Sequence, residues 1–124
     1  MYAEYKNNRI QDLQNYATNI GVDNWKQKYM VQWLLQENGS LSENTYGDNG
    51  YALGLCQCNK IYRQCPGQDY EAQKVQCLDW FKGYTEHSTH ASILRDIRMS
   101  HNSRSTTYEH DIKKRERHLV AINK

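Results

Sequence analysis

Glu37 is the residue of this sequence best placed to do chemistry. The segment from Asn24 to Glu37 reads as a helix, with Asp23 as its N-cap. Trp25, Tyr29 and Trp33 fall four residues apart, Glu37 is the next step on that stripe, and Met30 and Leu34 lie beside it. A carboxylate thus closes the apolar face of a helix and is expected to be carried towards the core. Desolvation and the partial negative charge of a helix C-terminus both favour the neutral form of such a group, the state a general acid needs. The competing reading is a frayed helix end that leaves Glu37 in water. Other clusters promise less. His87-Ser88-Thr89-His90 offers two imidazoles where a metal needs three or four donors, so no metal site is expected. Cys56, Cys58, Cys65 and Cys77 are spaced C-x-C-x6-C-x11-C, without the C-x2-C pairs of zinc sites. They read as one or two disulfides or as four reduced core thiols.

The elements that must position Glu37 are mostly helical. In a chain of 124 residues one domain, spanning 1–124, is expected. A first helix over Tyr2 to Ile20 carries Ile10, Leu13, Tyr16, Ala17 and Ile20 at helical period, and Gly21 can stop it. Residues 38–60, rich in Gly, Asn, Ser and Asp, read as loop with a short hairpin. Pro66-Gly67 marks a turn. A third helix is expected over Asp69 to Phe81, closed by Gly83, and a short fourth, capped by Ser88 or Thr89, through Arg98. The last is expected from Ser105 to Ile122, with Tyr108, Ile112, Leu119 and Ile122 on one stripe.

Composition narrows the partners. Sixteen Lys and Arg against fourteen Asp and Glu leave +2, too mild to imply nucleic acid or a membrane surface. No apolar run is long enough to span a bilayer, and no apolar stretch near the N-terminus reads as a signal peptide. Ten Tyr and three Trp against one Phe suit a surface that stacks on polar ligands.

Three segments in order carry a resemblance: Glu37-Asn38-Gly39-Ser40, Gly47-Asp48-Asn49-Gly50 and Gly54-Leu55-Cys56-Gln57. They resemble the catalytic region of goose-type lysozymes and the related lytic transglycosylases. That family has a Glu-Ser at the end of a buried helix, a Gly-Asp-x-Gly in the goose-type branch, and a Gly-[Leu/Phe/Ile]-[Met/Phe]-Gln run. Downstream, His101-Asn102-Ser103 followed by Thr107-Tyr108 resembles the family's Tyr-Asn-[Ser/Ala]-Gly segment and a later cleft Tyr. His101 replaces the Tyr, Arg104 the Gly, Asn38 the Ser and Cys56 the Met or Phe. The likeness covers roughly residues 30–60 and 90–112; the first helix and the Cys65 to Cys77 region match no family motif.

The resemblance implies a lysozyme-like α+β domain, mostly helical, with about five helices and a small hairpin lobe flanking one cleft. It implies a muramidase that cuts the β-1,4 bond between N-acetylmuramic acid and N-acetylglucosamine. Acid and base chemistry on a glycosidic bond needs one protonated carboxyl and often a second, ionised one to activate water. Glu37 would be the acid. Asp48, in a polar loop of Gly and Asn, would be the base. Asn38, Tyr46, Tyr51, Gln57, His101, Asn102 and Tyr108 would bind sugar. No cofactor is implied. The expected partner is the peptidoglycan glycan strand, met by a monomer without nucleic acid or membrane insertion, as in a phage lysis enzyme. The basic run Lys113, Lys114, Arg115 and Arg117 reads as a solvated face able to attract an anionic wall. The alternatives are a lytic transglycosylase giving anhydro sugars and a non-catalytic glycan-binding relative.

Overall fold

The computed structural model describes residues 2–101 and 105–117. Among these residues are five helices and a small antiparallel sheet, the helices being α1 Tyr2–Asn19, α2 Asn24–Glu37, α3 Tyr70–Tyr84, α4 Ile93–Ser100 and α5 Tyr108–Lys114. The sheet lies between α2 and α3 in the chain, as β1 Tyr46–Gly47, β2 Ala52–Leu53 and β3 Cys58–Asn59 in the order β1-β2-β3. Tyr46 pairs with Leu53, and Leu53 with Cys58. The fold is α+β and mostly helical.

α1 buries Ile10, Leu13 and Ala17, one face at helical period, and Gly21 ends it with φ +87°. The Gly21 N–H reaches the Thr18 carbonyl at 3.1 Å and the Val22 N–H reaches that of Ala17 at 2.9 Å, which satisfies two orphan carbonyls. α2 is more deeply set than a single stripe predicts. Met30, Trp33 and Leu34 are buried, and so are Val31 and Leu35 on its other side, so α1, α4 and α5 all pack against it. Asp23 sits at the N-cap position without a side-chain capping bond; it pairs with Lys26 at 3.7 Å instead.

Three helices have boundaries other than the expected ones: α4 starts at Ile93, after Ser92 and not directly after Ser88 or Thr89, and runs to Ser100, past Arg98. Gly83 does not close α3, which runs on to Tyr84; the buried Thr85 ends it by donating its hydroxyl to the Phe81 carbonyl at 2.9 Å. α5 is seven residues long, and Leu119 and Ile122 of the expected stripe lie outside the described residues. At the start of α4, Thr89 and Ser92 exchange backbone-to-hydroxyl bonds at 2.9 and 3.2 Å, a reciprocal box that places the helix.

The four cysteines form two disulfides, Cys56–Cys77 and Cys58–Cys65. The first ties the lobe to α3 across 21 residues, a closure that removes about 3 kcal/mol of denatured-state entropy in the chain-entropy account. Gln73 completes the attachment. Its buried amide accepts the Leu55 N–H at 3.0 Å and donates to the carbonyls of Glu43 and Gly67 at 2.9 and 2.7 Å. Gly54 makes room for it: with φ +86°, any Cβ there would run into the Gln73 amide. Gly54→Ala is therefore expected to cost more than about 2 kcal/mol, since strain and an unseated buried amide add. Urea unfolding checks this, and a loss under about 0.5 kcal/mol would show that the lobe does not depend on Gln73.

Asp96 gives an acid-sensitive anchor for α4. Its carboxylate accepts the Ser88 hydroxyl at 2.6 Å and the Ser92 hydroxyl at 2.8 Å. The Ser88 bond foremost holds it below the ordinary value of 3.8, against the opposing effect of burial. A carboxyl depressed in the folded state adds stability above its unfolded value and loses it as pH falls through the folded one. The Tm gap between wild type and Asp96→Asn should thus be widest near neutrality and close below about pH 3.8.

Candidate functional site

The lobe and the helices enclose a cleft of about 700 Å³, with Glu37 and Asp48 both in its lining. Glu37 ends α2, where the next residue turns the chain. The Asn38 N–H still bonds to Leu34 at 2.8 Å, while its side chain donates to the carbonyls of Ser42 and Gly54 at 2.8 and 3.0 Å. Its Oδ1 accepts the Ser40 hydroxyl at 2.7 Å. Asn38 is buried and spent on the loop, so it holds the hinge beside Glu37 and does not line the cleft, contrary to the sugar contact expected of it.

The Glu37 side chain is 14% exposed and is held at both oxygens. Oε2 accepts the Tyr108 hydroxyl at 2.6 Å and Oε1 lies 3.0 Å from His101 Nε2. Tyr108 is itself fixed, because the Trp33 indole N–H donates to its hydroxyl at 3.0 Å. Burial, then the neighbouring Glu37 charge, push the Tyr108 hydroxyl well above its ordinary value, so it keeps its proton and donates. His101 packs edge-on against Trp33, ring centres 5.1 Å apart, and its Nδ1 is 3.2 Å from the Tyr84 hydroxyl. The frayed-end alternative is excluded by these contacts. Glu37 is anchored by residues 64 and 71 positions away in the chain.

Asp48 occupies an unlike setting. It is exposed, in the tight turn joining β1 to β2, and accepts one side-chain bond, from Asn59 Nδ2 at 2.8 Å. Asp48 and Asn49 have φ of 52° and 56°, a left-handed conformation that Asp and Asn tolerate better than most residues. Strain of that kind is often kept where a side chain must be aimed. The Gly47 backbone lies against the Gln57 carboxamide, and a Cβ at Gly47 would collide with it. Gln57 in turn donates to the carbonyls of Thr45 and Gly54, both at 3.0 Å, while still facing the cleft.

Of the expected sugar contacts, Tyr51, Gln57, His101 and Tyr108 line the cleft. Tyr46 does not; it is exposed and its hydroxyl accepts a bond from Gln68 at 3.0 Å, because alternation along β1 turns it away. Asn102 lies outside the described residues. The cleft also contains residues that the sequence reading missed: Asn59, Tyr62, Arg63 and Trp80. Cys77, Trp80 and Tyr84 fall on one face of α3 by their spacing of three and four, which was a visible signal. Arg63, within the loop closed by Cys58–Cys65, left none. Arg63 lies 4.4 Å over the Trp80 ring and donates to the Tyr84 hydroxyl at 2.8 Å.

Among the described residues no group of three or more His, Cys, Asp or Glu is placed to hold a metal ion, and no helix is long and apolar enough to cross a membrane. No family model, curated protein or solved structure matches this chain.

Proposed function

We propose that this protein is a glycoside hydrolase of peptidoglycan, a muramidase that cuts the MurNAc-β-1,4-GlcNAc bond by general acid and base catalysis. The observation that carries the reading is Glu37, mostly buried at the end of α2, bound at both oxygens and still lining an open cleft that Asp48 shares. Two carboxyls in unlike surroundings suit two roles. Glu37 protonates the leaving glycosidic oxygen. Asp48, exposed to solvent, takes a proton from the attacking water. Bond cleavage then sends the Glu37 proton to the leaving sugar and the water's oxygen to the muramic acid carbon. Tyr51, Tyr62 and Trp80 supply aromatic faces, and Gln57 and Asn59 supply amides, which suits a ligand with apolar ring faces and polar edges. The glycan strand of peptidoglycan is the partner this implies, bound by a monomer.

Mass spectrometry of digested, purified peptidoglycan tests the reading. Muropeptides with reducing muramic ends are expected. Anhydro-muramic ends would assign the cleft to a lytic transglycosylase, with Glu37 acting without Asp48. Binding to the sacculus without soluble product would make the protein a glycan-binding module.

A further inference from the structure

We propose that Arg63 and Tyr84 are positioning residues that fix the tautomer of His101 and thereby turn the Glu37 proton towards the cleft. The inference rests on the reading of Glu37 as the acid. It is carried by a continuous series of hydrogen bonds: Arg63 Nη1 to the Tyr84 hydroxyl at 2.8 Å, Tyr84 to His101 Nδ1 at 3.2 Å, and His101 Nε2 to Glu37 Oε1 at 3.0 Å.

The direction of the series follows from its first member. A guanidinium only donates. Its proton occupies a lone pair on the Tyr84 oxygen, and burial before all else raises the Tyr84 hydroxyl above its ordinary value, so Tyr84 keeps its own hydrogen. That hydrogen is free to point at His101 Nδ1, which then accepts. In the neutral ring the proton is left on Nε2, donated to Glu37 Oε1. Tyr108 donates to the other oxygen. A proton carried by Glu37 then finds no acceptor in either neighbour and can be given to a ligand in the cleft. The opposite tautomer would present a bare Nε2 to Glu37, and the acid proton would be held inside the protein. Arg63 therefore governs acid chemistry three hydrogen bonds away from it. This is a role distinct from its stacking on Trp80.

The test reads the tautomer directly, without reference to activity, by long-range proton–nitrogen NMR of labelled protein at about pH 8, where an ordinary His is neutral. Wild type is expected to show His101 protonated on Nε2 alone. Arg63→Met and Tyr84→Phe should each shift population towards Nδ1–H, with kcat on peptidoglycan down roughly tenfold and KM little changed. Arg63→Lys, which keeps a cationic donor, should restore the wild-type pattern in part. If Arg63 only bound sugar or propped Trp80, KM would rise and the tautomer would not move. A wild-type ring protonated on Nδ1, or on both nitrogens, would overturn the proposal. An Nε2–H ring that moves in the variants, in a protein with no activity on glycan, would uphold the wiring and reject the function.

Discussion

Glu37→Gln is expected to fold normally and to lower turnover on peptidoglycan at least about a hundredfold, the low end of what general acid catalysis supplies. The substitution keeps size and shape, and its carboxamide oxygen can still accept one of the two bonds from Tyr108 and His101. What it removes is the transferable proton. Among the described residues the cleft holds no second buried carboxyl to take over, because Asp48, the other acid in its lining, is exposed. Thermal unfolding alongside the assay separates the two effects: Tm should move little while kcat falls and KM stays close to that of wild type. A variant that loses both together would place Glu37 among the structural carboxylates and not the reactive ones.

Asp48→Asn carries the second large effect. The amide can hold the left-handed turn as Asp does, since Asn tolerates that conformation, and Gly50 follows with φ +88°. The lobe should therefore keep its form. Hydrolysis should nevertheless fall by about a hundredfold, because the attacking water loses its proton acceptor. The double variant should be scarcely worse than Glu37→Gln alone, as the two groups serve one transition state. A mild loss, with anhydro-muramic products persisting, is the outcome a transglycosylase gives. Product masses from wild type and Asp48→Asn, compared side by side, read both possibilities in one experiment.

The sequence made the location of Glu37 legible and most of its surroundings illegible. Trp33, Met30 and Leu34 at helical spacing fix the face that Glu37 continues, so burial of the helix end follows from local pattern. His101 and Tyr108 entered only through the resemblance, since nothing in local spacing brings positions 64 and 71 residues away to a carboxylate. Asn38 shows the limit of residue type. Its amide suits a sugar as well as a loop, and only the nearness of the Ser42 and Gly54 carbonyls decides for the loop. Gly83 misled because a glycine after an apolar stretch is a good stop signal, yet the helix runs one residue past it and is ended by the bond from Thr85. Arg63 left no local pattern, and the spacing signal at Trp80 could not be assigned to the cleft for a topological reason. Which face of α3 meets the cleft depends on how Cys56 pairs, and four cysteines allow three pairings that spacing cannot rank.

The most direct measurement is the release of new reducing ends from purified peptidoglycan by wild-type protein and by Glu37→Gln at equal concentration. The account predicts steady release by wild type and release lower by about a hundredfold or more in the variant. No release by folded wild-type protein, or undiminished release by Glu37→Gln, would contradict it.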